Sequence, residues 1–171
     1  MNSLVPQYQE MAARGASFFG LSVLQHETSI RSFAEALAVK SMLDFGCGRG
    51  DAYAAPYFMH RRLGVPDAGL TLYDPAFPER AAPPVGEHDL VICSDVLEHV
   101  PKHEVDEFVA ALFRHARRGV WASVCCRLAK KAFDNGRNLH VTVKPYSWWS
   151  AKFAEAAKQR PGIDWTLIET P

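Results

Sequence analysis

Asp44-Phe45-Gly46-Cys47-Gly48-Arg49-Gly50 is the stretch that decides how this chain is read. Ser41-Met42-Leu43-Asp44-Phe45 is a short apolar run, read as a buried strand, and the glycines follow at alternating positions. Glycine tolerates the left-handed backbone that a sharp strand-to-helix turn needs, and it lets a ligand come close to the main chain. A helix is expected to follow from about Asp51 to Leu63, aiming its free N–H groups and positive dipole end into the same space. The third glycine arrives one residue earlier than in the GxGxxG pattern of dinucleotide sites. Asp44 stands two residues before the first glycine, where a carboxylate repels a pyrophosphate but attracts an α-ammonium group, directly or through water.

Working outward, Leu70 to Asp74 reads as the next strand, stopped by Pro75, and His88 to Cys93 as a third. Gly119 to Cys125 is a fourth, and Asp164 to Glu169 a closing strand whose place in the sheet the sequence leaves open. Between them, helices are expected from Pro101, in its first turn, to His115 and from Pro145 to Gln159. Residues 17 to 38 carry apolar side chains at three- and four-residue spacings, which suit one or two amphipathic helices ahead of the sheet. This alternation implies an α/β fold with a mostly parallel sheet and right-handed crossovers. With no repeats or linkers in 171 residues, one domain is expected: an N-terminal helical segment or lid over residues 1–40 and a ligand-binding core over 41–171.

Composition narrows the classes. Apolar residues make up 48% and charged residues 22%, as in ordinary globular enzymes. Lys plus Arg and Asp plus Glu number 19 each, which argues against a uniformly basic nucleic-acid binder. Cys47, Cys93, Cys125 and Cys126 lack metal-knuckle or disulfide-framework spacing, so reduced thiols and a cytoplasmic setting are expected. No signal pattern or membrane-spanning apolar stretch is present.

Two further segments place polar groups at the strand ends. Asp74, at the tip of its strand, suits both hydroxyls of a ribose. Asp89-Leu90-Val91-Ile92-Cys93-Ser94-Asp95-Val96-Leu97-Glu98-His99-Val100-Pro101 runs from an apolar strand into the cluster Asp95, Glu98 and His99.

Together, Leu43–Gly50, Leu72–Pro75 and Asp89–Pro101 resemble class I S-adenosylmethionine-dependent methyltransferases, and the wording of the last resembles small-molecule and RNA O-methyltransferases. The likeness covers roughly residues 40 to 125. It implies a Rossmann-like sheet, helices on both faces, and S-adenosyl-L-methionine as cofactor. By this resemblance, Asp44 and the backbone at Gly46, Cys47 and Gly48 face the methionine portion. Asp74 holds the ribose, and Asp95 faces the methionine end or the reaction centre.

The chain also departs from the family. The short stretch from Pro75 to His88 replaces a helix and a strand, and a single strand replaces the usual closing pair. The sheet is therefore expected to be reduced at both edges, which leaves adenine recognition unassigned and invites a homodimer or an accessory subunit.

His99 and His140 are the candidate catalytic or acceptor-binding residues. Asp95, Glu98 and His99 at i, i+3 and i+4 would share one side of a helical turn, and adding His140 gives a set suited to a divalent ion. Similar wording also occurs in relatives without a metal, so no metal ligands are assigned. The loop from Arg127 to Lys144 is basic, which would suit an anionic acceptor or simply a solvated surface. Trp148, Trp149 and the N-terminal aromatics Tyr8, Phe18 and Phe19 are divided between core and pocket wall.

The function expected is methyl transfer to an oxygen or nitrogen acceptor on a small molecule or nucleic acid. The alternative is a non-catalytic binding or scaffold subunit with the same fold. A nucleotide-dependent oxidoreductase is disfavoured by Asp44 and the early third glycine.

Overall fold

Strands β1 (Met42–Phe45), β2 (Leu70–Tyr73), β3 (His88–Ser94), β4 (Ala116–Cys125) and β5 (Asp164–Thr170) form one sheet in the order β2-β1-β3-β4-β5, and every pairing is parallel. The computed structural model describes residues 3–15 and 18–171. The chain steps from β1 to β2 on one side and then crosses back to β3 on the other. The switch point thus falls beside the glycine turn, where open α/β sheets bind ligands.

Burial on both faces explains the unbroken apolar runs of the central strands. On one face Leu43, Val91, Cys93 and Val120 pack against α4 (Val105–His115) and α5 (Tyr146–Gln159), which contribute Leu112, Phe113, Trp149 and Phe153. On the other, Met42, Leu90, Ile92 and Trp121 meet Ile30 and Ala34 of α2 (Glu27–Ala36) and Met59 of α3 (Met59–Arg62). Successive residues of β3 alternate between the two cores, as the two-residue strand period requires. The expected α/β, Rossmann-like parallel sheet with helices on both faces is borne out.

Several elements differ from expectation. The helix expected from Asp51 to Leu63 is absent as a continuous element. A 3-10 turn at Asp51–Tyr53 gives way to extended backbone at Ala54, and the four-residue α3 follows. Pro56 is the cause: it offers no N–H to a helix and disfavours helical backbone at the residue before it. The glycine turn is therefore capped by a single 3-10 turn rather than by a helix dipole.

Residues Ser22–His26 form a 3-10 turn running into α2, so that region holds one α-helix; residue 17 lies outside the described residues. Pro101 precedes a 3-10 turn at Lys102–Glu104, and α4 begins only at Val105. β4 starts at Ala116, three residues before Gly119. β5 takes the outer edge, parallel to β4, and among the described residues no strand lies between β2 and β3. An additional helix, α1 (Val5–Ala13), crosses over the strand ends. No helix among the described residues is long and apolar enough to cross a membrane.

Candidate active site

Gly46, Gly48 and Gly50 all have positive φ, at 100°, 56° and 80°. Space adds to the demand for glycine: a Cβ on Gly46 would come 2.4 Å from a methyl of Val96, and one on Gly48 would come 2.5 Å from the Phe18 carbonyl oxygen. The turn is tied to the end of β2, because the N–H groups of Gly46 and Cys47 donate to the Tyr73 carbonyl at 2.7 and 3.1 Å. On the opposite side the Arg49 and Asp51 N–H groups donate to the carbonyls of Phe18 and Phe19, which straps the N-terminal segment onto the turn.

Asp74 completes this linkage. Its Oδ2 accepts from the Gly48 N–H and its Oδ1 from the Ala76 N–H, each at 2.8 Å. Burial raises its pKa against the pull of those two hydrogen bonds.

Asp95 ends β3 in the left-handed region, with φ 54°. Ser123 of β4 holds it there, accepting the Asp95 N–H and donating its hydroxyl to Asp95 Oδ1 at 2.9 Å. The hydroxyls of Ser22, Ser94 and Ser123 form a chain with 3.2 Å steps leading to that carboxylate. Sequence reasoning missed these serines: they come from three distant segments and carry no local motif.

A cavity of about 520 Å³ opens over the strand ends. Gly46, Gly48, Asp74, Asp95 and His99 all line it, and Tyr8, Phe18 and Phe19 line it from the N-terminal side. Helix α1 bridges this opening. The Gln9 side-chain amide donates to the Pro75 carbonyl, and the Tyr8 hydroxyl donates to the Leu139 carbonyl.

Four predicted positions are not on the cavity wall. Asp44 and Cys47 lie buried behind the turn, and His140 and Glu98 lie beneath His99. Asp44 Oδ2 accepts the Tyr53 hydroxyl at 2.6 Å, and its Oδ1 is buried without a hydrogen-bond partner. Burial pushes this carboxyl up to about 7. Among the tryptophans, Trp149 is core, and half-buried Trp148 packs beside it under Lys152; neither lines the cavity.

His99 Nδ1–H donates to the Leu139 carbonyl at 3.0 Å, with the Tyr8 hydroxyl 3.1 Å away. With the proton on Nδ1, the second ring nitrogen, Nε2, carries the lone pair of the neutral imidazole. Burial, with the adjacent His140, holds His99 down at about 4, so the ring is neutral at neutral pH. His140 donates from Nδ1 to the Arg127 carbonyl at 2.6 Å, and its Nε2 lies 3.9 Å from Glu98 Oε1. Glu98 is wholly buried, accepts one N–H from Cys125, and has Oε2 without a hydrogen-bond partner. Burial raises its pKa to about 8.

Among the described residues, one possible ligand atom each from Glu98, His99 and His140 lie within 4.8 Å of one another. Asp95 does not join them, which corrects the expected i, i+3, i+4 array. Its left-handed backbone interrupts the helical turn, and only Leu97–His99 form a 3-10 turn. Of the basic loop, Arg127, Lys130, Lys131 and Arg137 are exposed and none lines the cavity.

A parallel sheet with its switch point at a glycine turn, and an acid closing the second strand over that turn, is the arrangement of the class I S-adenosylmethionine-dependent methyltransferase superfamily. The chain belongs to the methyltransferase domain family, whose model matches residues 23–159. Among curated proteins none matches the sequence.

The residues present fit the family's cofactor. Gly46 and Gly48 expose bare backbone to the cavity, Asp74 offers a carboxylate at the same wall, and the orphaned Asp44 oxygen is an unpartnered polar atom behind the turn.

Proposed function

We propose that this protein transfers a methyl group from S-adenosylmethionine to an oxygen or nitrogen of a small molecule or nucleic acid. The observation that carries this reading is the convergence of Gly46, Gly48, Asp74, Asp95 and His99 on one cavity. When bound, the cofactor supplies an already activated methyl group, so the protein's task is mostly to align the acceptor.

Asp74 accepts the ribose hydroxyls through the lone pairs left by its two backbone bonds. The backbone at Gly46 and Gly48, with Asp95, holds the methionine end. Cys47 contributes its backbone within the same turn, and Asp44 acts from behind, reaching an ammonium group through an intervening water. His99, neutral at neutral pH with its proton on Nδ1, takes the acceptor's proton on Nε2. Tyr8 fixes its ring by sharing the Leu139 carbonyl.

Titration calorimetry with S-adenosylhomocysteine, followed by transfer of a labelled methyl to small-molecule and RNA pools, tests the proposal. Binding plus labelled product supports it. Binding without product from any pool favours the scaffold role, and absence of binding removes the cofactor reading.

A second reading concerns the same histidines. Glu98, His99 and His140 bring a carboxylate and two imidazoles together, with one carboxylate oxygen unpartnered, a donor set suited to a divalent transition metal. In that case His99 is a ligand rather than a base. Metal analysis of the purified protein, before and after EDTA, decides between the two.

A further inference from the structure

The cavity does not end at Asp74. It continues past the last residues of β1 and β2 into a slot against α4, lined by Phe45, Tyr73, Phe108 and Ala111. Phe45 and Tyr73 are register partners, each immediately preceding a binding residue, Gly46 and Asp74. Their ring centroids lie 4.8 Å apart, and Phe108 stands edge-on to Phe45 at 5.3 Å. All three rings are only partly buried. Phe108 and Ala111 are one helical turn apart and so face the slot together.

The topology explains why these rings are uncovered. Among the described residues no strand follows β2 on its outer side, and the segment before β3 contributes only Pro75, Ala76 and Phe77 to the cavity. A second element packed over β1 and β2 would close the slot; among the described residues there is none.

We infer that the slot takes the adenine base of the cofactor, stacked on the ring face of Phe108 and met at an angle by Phe45, with Tyr73 closing the wall. This rests on the cofactor reading proposed above. A ribose held at Asp74 places its base within one residue's reach of Tyr73 and Phe45. A neutral, flat, aromatic base suits a wall of aromatic side chains, whereas a charged group would lose its hydration there without gaining a partner. Glu107 and Arg114, at the outer end of the slot, are paired with each other at 2.7 Å and leave the walls apolar. Adenine recognition thus moves from a strand after β2 to the aromatic ends of β1 and β2 and one face of α4.

The test compares two ligands by calorimetry: S-adenosylhomocysteine and S-ribosylhomocysteine, which lacks only the base. Two variants are needed, Phe108→Ala, which removes a stacking face, and Ala111→Phe, which fills the slot. Each is expected to weaken S-adenosylhomocysteine about tenfold or more, in the range of base–aromatic stacking, and to leave S-ribosylhomocysteine within a few-fold. Unchanged S-adenosylhomocysteine affinity in both variants, or equal weakening of both ligands, overturns the slot while the cofactor reading stands. Failure of the unmodified protein to bind S-adenosylhomocysteine overturns the cofactor reading, and the slot with it. Should Phe108→Ala not fold, Phe108→Leu keeps the volume without the π face and enters the same comparison.

Discussion

The Tyr53 hydroxyl donates a 2.6 Å hydrogen bond to the buried carboxyl of Asp44, which leaves the other oxygen of that carboxyl without a partner directly behind the glycine turn. Burial is the largest influence on Asp44 and raises it to about 7; the Tyr53 bond opposes the rise and the Asp74 charge adds to it. In the unfolded chain the group ionises near its ordinary value of 3.8. The folded state therefore keeps a proton that the unfolded state releases. The stability this group contributes is complete below about pH 4 and is lost as pH rises through about 7. The slope within that window is at most roughly 1.4 kcal/mol per pH unit. Urea unfolding between pH 4 and 8 should show stability declining with pH, and Asp44→Asn should flatten the decline. Glu98 has the same sign, so the difference between the two proteins isolates Asp44. Tyr53→Phe removes the opposing bond and should move the window to higher pH.

Asp74 tests the ribose assignment. Its oxygens each accept a backbone N–H, and an amide in its place keeps only one accepting oxygen. Asp74→Asn should leave the Gly48 or the Ala76 N–H without its partner and weaken one ribose contact. Hydrogen bonds to charged groups contribute about 1.5–3 kcal/mol, so S-adenosylhomocysteine affinity should drop roughly 10- to 150-fold. Calorimetry showing less than a threefold change would remove Asp74 from the site.

The strands were legible before the structure because apolar runs bounded by Gly, Pro and charged residues have few other readings. The glycine turn and Asp74 were legible because each sits at the end of such a run. The Asp51–Leu63 stretch misled because its helical pattern masked Pro56, a single residue that overrides the propensity of its neighbours. Asp95 misled for a different reason. Its neighbours read as a helical turn, yet Ser123, from the adjacent strand, captures both its N–H and its carboxylate. Contacts of that kind, like the Ser22–Ser94–Ser123 chain or the Phe45–Tyr73 pair, exist only once strands are in register.

The strap over the turn is tested at Gly20. This residue has φ 69°, and a Cβ there would lie 1.9 Å from the Cys47 carbonyl oxygen, a backbone atom that cannot swing aside. Gly162 has φ 94° but open space around it. Gly162→Ala should cost about 1–2 kcal/mol for left-handed backbone alone. Gly20→Ala carries the same penalty plus a displaced strap, so it should lose more stability and also weaken S-adenosylhomocysteine, since Phe18, Phe19 and Gly20 line the cavity. Equal melting temperatures for the two variants would show that the strap does not depend on this contact.

The two roles considered for His99 predict different variants. As the base that takes the acceptor's proton, His99 is needed only in the reaction, so His99→Ala should lower kcat by about 10²–10⁴ and leave S-adenosylhomocysteine affinity within a few-fold. His140, set beneath it with Nδ1 committed to the Arg127 carbonyl, then supports ring position alone. His140→Ala should retain at least roughly a tenth of kcat, and EDTA-dialysed protein should keep its rate. A metal held by Glu98, His99 and His140 reverses this pattern: His140→Ala falls as far as His99→Ala, and EDTA abolishes a rate that added Mn²⁺ restores. Because Glu98 is wholly buried with one oxygen unpartnered, Glu98→Gln is a third discriminator. It should be tolerated where the carboxyl is protonated and no ion is bound, and should remove metal content where one is. The expected result is the first pattern, with kcat tied to His99 and indifferent to chelator.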